Sequence, residues 1–189
     1  MTGAHHFNID NVVQSTSIAE AFWKRCAETP EATLYRYAIA PSATGGRVWK
    51  EEAYSSAAKK ISRIAHHLAE KGVTVGTPVA IMSHTRPEWI LADLAIQSLG
   101  AITVSIYQSL PAAEAGFILY DSGAQVIFIE NEEQAQKLNW LLENRCPIPS
   151  REELPASDHL VPISHTITFE ALDTPLPHVT LQSLLDNDL

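Results

Sequence analysis

Two pairs of adjacent histidines are the residues that most suggest metal chemistry. His5-His6 lies near the start of the chain, and His66-His67 lies in a segment with helical periodicity. Imidazole nitrogen is a frequent zinc ligand, but adjacent side chains on a helix point about 100° apart. His66-His67 therefore cannot chelate one ion alone, and the sequence predicts no metal site.

A glycine pair marks the one place where a phosphate-binding loop could be sought. Gly45-Gly46 follows Ser42-Ala-Thr44, and such residues are typical of loops whose backbone amides cradle phosphates. No lysine stands at the right distance, and the pair lies between two short strand patterns, which favours a hairpin loop. Neither Gly-x-x-x-x-Gly-Lys nor Gly-x-Gly-x-x-Gly occurs in the sequence. We therefore expect no phosphate loop, and no cofactor-binding residue, in this chain.

Two aromatic residues and one histidine are candidates for binding. Tyr107 stands at the carboxyl end of a predicted parallel strand, where open α/β sheets bind ligands; the alternative is that it caps the core. Trp89 could line an apolar substrate channel, although we favour packing between a helix and the sheet. His84 could contact an anion at the start of the next helix, or be an exposed loop residue.

Charged residues near predicted helix starts favour structural roles. Arg86 and Asp93 are seven residues apart, and we expect them to take part in helix capping and ion pairs at an interface. The acidic run from Glu130 to Glu133 is interpreted as a solvated helix start, where the helix dipole favours negative charge.

Composition and charge restrict the class of protein. Hydrophobic residues make up 46% and charged residues 19% of the 189 residues, which is typical of a globular domain. A net charge of -9 argues against a nucleic-acid partner and against strong attraction to anionic lipid. A disulfide between Cys26 and Cys146 is possible, but we favour two free buried thiols. The first residues show no secretory signal pattern, so we expect a cytoplasmic protein, with peripheral contact at the inner membrane face left open.

The residue patterns in the first part of the chain predict two helices with a small hairpin between them. Ser17-Ile-Ala-Glu20 has the pattern of a capping box and predicts a helix that ends near Thr29-Pro30. Residues 33–37 and 47–49 are short strand candidates that form an antiparallel hairpin. A helix is predicted over 54–71, with Gly72 just after its end.

The middle of the chain alternates between strand and helix patterns. Thr85-Arg-Pro-Glu88 is interpreted as a second capping box, which opens a helix that runs to about Leu99. Strands are predicted over 78–82, 101–106 and 125–129, and further helices over 111–120 and 132–142. Apolar strands separated by helices indicate an α/β fold with an open, mostly parallel sheet and helices on both faces. We assign residues 1–144 to this subdomain.

The last part of the chain has a different composition. Prolines interrupt a polar stretch after Asn144, which predicts mostly loop. Residues 165–169 are a final strand candidate, and residues 180–185 are predicted to form one or two helical turns. Residues 145–189 are thus a Pro-rich loop followed by a last strand and helix.

A set of short motifs gives the sequence a recognisable family pattern. Residues 71–131 resemble the N-terminal region of long-chain fatty acyl-CoA synthetases of the adenylate-forming superfamily. The matching pieces are Gly72-Val-Thr-Val-Gly76, Val79-Ala-Ile81, Arg86-Pro87-Glu88-Trp89 with Asp93, Gly100-Ala101, Ile106-Tyr107-Gln108-Ser109, Asp121-Ser-Gly-Ala124 and Val126-Ile-Phe-Ile129. Three positions depart from the family, which usually has asparagine at Thr85, an acidic residue at Thr77 and proline at Ser105. These departures affect details of the helix cap and of one strand end.

The resemblance implies a reaction and a set of partners. Family members use ATP, Mg²⁺ and CoA to convert a fatty acid into acyl-CoA, AMP and diphosphate. The implied partners of this chain are a fatty acid and the remainder of the synthetase, with the ATP-binding core following residue 189; a homodimer is left open. Because the phosphate loop and catalytic residues of the family are absent here, the chain by itself is expected to be inactive. The alternative is a stand-alone interaction or regulatory module with the same fold.

Overall fold

The chain forms two compact units in a computed structural model. The structure describes residues 15–39, 45–144, 146–148 and 157–186. One unit comprises Met1–Lys59 and the other comprises Lys60–Leu189. Each unit is described by itself below.

The first unit contains a helix and a two-stranded antiparallel sheet. Helix α1 (Ile18–Glu28) begins where the Ser17 side chain accepts a hydrogen bond from the Glu20 amide. The Glu20 carboxylate reaches back to the amide of Thr16, one residue before the cap. Strands β1 (Thr33–Ile39) and β2 (Val48–Ala53) pair antiparallel, as the hairpin prediction requires. Most of the predicted loop between them lies outside the described residues.

Helix α2 (Tyr54–Glu70) shows the predicted amphipathic period, and the division between the two units falls within it. Its buried residues recur every three or four positions, at Ala57, Ile61, Ile64 and Leu68. Gly72 follows the helix with φ 83°, a left-handed conformation that glycine adopts easily. This confirms both the helix and its predicted end.

A five-stranded parallel sheet forms the centre of the second unit. Its strands are β3 (Pro78–Met82), β4 (Ile102–Ile106), β5 (Val126–Ile129), β8 (His165–Thr168) and β9 (Val179–Thr180), in the order β4-β3-β5-β8-β9. The bounds of β3 are those that the sequence predicted. All four pairings are parallel, which confirms the expected sheet.

Helices α3 (Pro87–Ser98), α4 (Ala112–Ser122), α5 (Glu132–Glu143) and α6 (Leu181–Asp186) complete this unit. One face of the sheet packs against α4 and α5 through a cluster that includes Met82, Ile129, Leu119 and Leu138. Side chains alternate between the faces of a strand, so Val79, Ile81 and the paired Phe128 point to the other face, where they are fully buried. The central strands are thus covered on both faces.

The structure corrects one prediction about a local element and adds short strands that the sequence did not predict. Thr85 does not cap α3: the cap residue is Arg86, without a side-chain bond to the backbone, and Pro87 takes the first helical position. The stretch after Asn144, expected to be mostly loop, contains two short strands, β6 (Cys146–Ile148) and β7 (Ser157–His159), which pair antiparallel. Strands of two or three residues carry no readable period, which is also why β9 was missed.

Two glycines with left-handed backbones allow a matched test of the fold. Gly100 has φ 69° and Gly123 has φ 68°, so an alanine at either position is strained by about 1–2 kcal/mol. An added Cβ at Gly100 would also lie 3.1 Å from Val75 Cγ2, whereas nothing lies within 4 Å at Gly123. We expect Gly100→Ala to lower the free energy of unfolding more than Gly123→Ala does. Urea denaturation of both variants measures the difference, and equal losses would show that the contact with Val75 adds no cost.

Candidate functional site

The carboxyl ends of three neighbouring strands bring polar residues together. Met82 at the end of β3 pairs with Ile129 of β5, and Ile129 pairs with Thr168 of β8. The residues that follow these strands therefore lie side by side at one edge of the sheet, where open α/β folds bind ligands. We call this group the carboxyl-edge cluster; its members are Ser83, His84, Arg86, Glu88, Glu130 and Glu170.

The Glu130 carboxylate is the centre of the carboxyl-edge cluster. Its Oε2 accepts hydrogen bonds from the His84 amide at 2.8 Å and from the Ser83 hydroxyl at 3.3 Å, and lies 2.8 Å from His84 Nδ1. Its Oε1 accepts from Arg86 Nη1 at 3.2 Å. Burial alone would raise the pKa of this carboxyl, but the bonds from His84 and the charge of Arg86 outweigh burial and lower the pKa below 4.5.

The Arg86 guanidinium links three acidic side chains. Its Nε donates to Glu88 at 2.8 Å, and its Nη1 donates to Glu170 at 2.7 Å as well as to Glu130. The group also lies 5.9 Å from the centroid of the Phe169 ring, within the range of a cation–π contact. Burial alone would lower the pKa of Arg86, but the hydrogen bonds to Glu88 and Glu170 outweigh this and raise it. The guanidinium therefore stays charged.

This arrangement is suited to holding strand ends together. Both oxygens of Glu130 are engaged by donors, so this carboxylate has little capacity to act as a general base. Within the part of the chain that the structure describes, no group of three or more histidine, cysteine or acidic side chains could hold a metal ion. The cluster joins residues that follow β3, β5 and β8, and so fixes the edge at which a ligand would bind.

The family-motif residues in and before α3 lie in two places. Arg86, Pro87 and Glu88 lie at the start of α3, where Arg86 and Glu88 belong to the carboxyl-edge cluster. Asp93 does not pair with Arg86. Its carboxylate accepts from Gln97 Nε2 and from the Thr103 hydroxyl, each at 2.7 Å, and the second bond attaches α3 to β4.

The predicted binding residues lie at or near the same edge of the sheet. Tyr107 follows β4 and its side chain is 76% exposed, so the alternative that it caps the core is wrong. Trp89 lies in the first turn of α3 and is half-buried. A substrate-binding role for Tyr107 and Trp89 stays a prediction.

Two further family-motif residues lie apart from the carboxyl-edge cluster. Gly100 adopts a left-handed turn after α3, and Asp121 is exposed in the last turn of α4.

Sequence reasoning missed the acidic partners of Arg86. Glu130 is not part of a solvated helix start: it is only 9% exposed, and α5 begins after it, with Asn131 as the cap. His84 is exposed, as one prediction had it, but its ring also contacts Glu130. One signal in the sequence could have identified Glu130 as a partner of Arg86: it stands directly after an apolar strand of a predicted parallel sheet.

The remaining histidine candidates show no metal-site geometry. His66 is exposed and lies 3.5 Å from Glu70 one turn along α2, while His67 points elsewhere, to His165. His5 and His6 lie outside the described residues, as does the side chain of Cys146. Cys26 is a free thiol. Among the helices that the structure describes, none is long and apolar enough to cross a membrane.

Removing the charge of Glu130 should destabilise the fold. In Glu130→Gln the amide nitrogen would face donors, so partly buried donors of Arg86 or His84 lose their acceptor, which costs about 1 kcal/mol or more. Chemical denaturation at pH 7 measures the loss. Glu133→Gln is the matched control, because Glu133 is 68% exposed and pairs with Lys137 on the helix surface. Equal effects of the two substitutions would contradict the role given to Glu130.

The contribution of Glu130 should also depend on pH. Because its pKa is lowered in the folded protein, the stability that it adds is complete above about pH 4.5 and is lost as the pH falls through the lower folded value. The difference in free energy of unfolding between wild type and Glu130→Gln should therefore shrink on acidification from pH 6 to pH 3. A constant difference over that range would mean that the carboxylate charge does not matter.

Comparison with known proteins places the fold in a family. Residues 22–175 match the family model described as AMP-binding enzyme. The chain is 32% identical over 124 residues to the long-chain-fatty-acid–CoA ligase FadD15 of Mycobacterium bovis, which is 66% of this chain and 20% of the relative. It thus spans about a fifth of the length of that relative. The uncharacterized protein Rv1549 of Mycobacterium tuberculosis is 28% identical over 117 residues, which cover 62% of each chain.

Solved structures agree on the fold. The acetoacetyl-CoA synthetase of Streptomyces lividans superposes with a TM-score of 0.68 over 90% of this chain and 25% of that enzyme, at 16% sequence identity. An identity this low is informative about the fold alone. Because the family match extends over residues 22–175 of 189, the chain belongs to the AMP-binding enzyme family, the adenylate-forming group that includes the acyl-CoA ligases.

Proposed function

We propose that this chain is the N-terminal α/β portion of a long-chain fatty-acid–CoA ligase. The reaction of such an enzyme converts ATP, a fatty acid and CoA into acyl-CoA, AMP and diphosphate. The observation that carries the proposal is the 32% identity to FadD15 over 124 residues, within a match to the AMP-binding family. The Arg86-Pro-Glu-Trp89 motif supports the long-chain branch, since it is part of the sequence pattern by which the chain resembles that branch.

In this proposal the chain supplies a rigid scaffold for the acyl-binding side of the enzyme. The carboxyl-edge cluster holds the ends of β3, β5 and β8 together through Glu130 and Arg86. Tyr107, at the end of the neighbouring strand β4, presents an exposed aromatic ring that can pack against an aliphatic chain. Trp89 adds a second aromatic surface in the helix that follows β3.

The described residues do not fit a bound nucleoside triphosphate. The carboxyl-edge cluster has three carboxylates and one guanidinium, so its charge opposes a triphosphate unless a cation accompanies it. The sequence offers no glycine-rich turn between a strand and a helix to cradle phosphates. In the proposed enzyme, ATP, Mg²⁺ and CoA are therefore bound by the remainder of the synthetase.

The purified 189-residue chain is expected to be inactive by itself. Incubated with a long-chain fatty acid, ATP, Mg²⁺ and labelled diphosphate, it should give no ATP–diphosphate exchange above a blank without protein. An active acyl-CoA synthetase assayed in parallel shows that the conditions support the reaction. Exchange by the purified chain would overturn the proposal that its residues lack the adenylation chemistry.

The role of Tyr107 can be tested in the enzyme formed with the remainder of the synthetase. If the ring packs against the acyl chain, Tyr107→Ala should raise the KM for fatty acid about tenfold, the loss of roughly 1.4 kcal/mol of binding, with kcat little changed. Tyr120→Ala is the control, since Tyr120 is also partly exposed but lies on α4. Equal KM values for wild type and Tyr107→Ala would remove Tyr107 from the binding site.

A second candidate function is a stand-alone module with no catalytic activity, which binds or regulates another protein. The similarity to Rv1549 is the observation behind this alternative, because the 117 aligned residues make up 62% of that protein, so this region is the larger part of at least one relative. The genomic reading frame after Leu189 separates the two candidates. A Ser/Thr/Gly-rich loop that ends in lysine supports the ligase, whereas a stop codon supports the module.

The location and the assembly state belong to this proposal as well. We propose a cytoplasmic protein, whose net charge of -9 would confine any contact with anionic lipid to a local patch of its surface. Peripheral contact with the inner membrane face and a homodimer are further proposals. Sedimentation with anionic vesicles and analytical ultracentrifugation test them, and a chain that neither sediments with vesicles nor dimerises would exclude both.

A further inference from the structure

Two histidines far apart in sequence meet in the second unit. His67 lies in the last turn of α2, and His165 is the first residue of β8. Their Nε2 atoms are 2.9 Å apart, a hydrogen-bond distance, and both side chains are half-buried. The contact joins the end of a helix to the start of a sheet strand, at the edge opposite the carboxyl-edge cluster.

The geometry of this contact requires at least one neutral ring. The ring centroids are 5.0 Å apart, about 2 Å more than the nitrogens, so the two nitrogens lie between the rings and face each other. One neutral imidazole can donate Nε2–H and the other can accept it, but two protonated rings are both donors and carry like charges. Nitrogens that face each other bond to one another and leave no common point for a metal ion.

The surroundings of the pair are neutral or positive on balance. From α2 and the residue after it, His66, Glu70 and Lys71 influence His67, and Lys71 also influences His165. Glu70 is the one carboxylate among these groups, and it lies 3.5 Å from His66. On the sheet side, the backbone N–H of His165 donates to the carbonyl of Gln125, a neutral residue before β5. No carboxylate contact that would stabilise imidazolium is found for His67 or His165 in the described chain.

We propose that the His67–His165 pair is an acid-sensitive hydrogen bond that holds the end of α2 to the start of β8. With both rings neutral, the hydrogen bond holds the two elements together. Protonation of both rings replaces the bond with repulsion and releases the end of the helix from the strand. The pair is thus a pH-dependent conformational element that does not depend on the proposed ligase activity.

Electrostatics supports the same conclusion. Burial, then the charges of His67 and Lys71, lowers the pKa of His165 to about 4; burial and Lys71 also lower the pKa of His67. A histidine whose pKa is lower in the folded state binds a proton more readily when the chain unfolds. Above about pH 6.5 this histidine is neutral in both the folded and the unfolded chain and does not oppose folding. The free energy of unfolding falls as the pH is lowered from there towards 4.

The test compares unfolding of the 189-residue chain at pH 7 and pH 5. For a group whose pKa moves from 6.5 to about 4, the ratio of folded to unfolded protein should fall roughly twentyfold between these two pH values. The double variant His67→Gln/His165→Gln keeps hydrogen-bonding side chains that do not titrate, so it should lose this part of the pH dependence. His66→Gln is the matched control on the same helix and should behave like the wild type.

NMR titration of the wild-type histidines gives an independent measurement that does not require a stable variant. The ring protons of His165 should titrate well below pH 6.5, and Lys71→Gln should raise that value because a nearby positive charge is removed. Titration of both rings at their ordinary pKa would overturn the proposal. So would an equal change in stability from pH 7 to pH 5 in the wild type and the double variant.

Discussion

The second unit depends on the neutralisation of one buried carboxylate. A charged group removed from water costs several kcal/mol unless hydrogen bonds and opposite charge compensate for it. Glu130 receives that compensation from the backbone of His84 and from Arg86. Since these groups follow two adjacent strands, the ends of β3 and β5 must be in register before the charge can be buried. The buried carboxylate therefore stabilises the sheet with the correct strand register and destabilises a sheet whose register is shifted.

Arg86 extends this constraint to a third strand. Its guanidinium contacts Glu170 after β8 and lies over the ring of Phe169. A planar group with several fixed donors can bind several carboxylates at once, which a lysine could not do in the same way. Arg86, the charged residue of the family motif, thus serves to fix the edge of the sheet. In the function proposed above, a rigid edge would also keep the binding surface in place, because misplacement of a binding surface weakens binding and positioning.

The local elements could be predicted well from the sequence because each has a strong period. The apolar run of β3 was located at its observed bounds, and the three- and four-residue spacing of α2 identified its buried face. The failures have physical causes as well. The short strands β6, β7 and β9 are too brief to show a period, and they form because a neighbouring strand offers backbone partners. Thr85 was a reasonable cap by residue type, but the chain around it is held by the contacts of His84 and Arg86 with Glu130.

The sequence by itself determined the order of the longer helices and strands, the parallel sheet and the family, since these follow from periodicity and from short motifs read along the chain. Only the tertiary structure decided which charged side chains meet. Arg86 finds its partners 44 and 84 residues away, and His67 meets His165 at a separation of 98 residues. Such contacts depend on which strands are neighbours in the sheet and on where each strand ends. That is why Glu130 looked like a solvated helix start in the sequence and is a buried carboxylate in the fold.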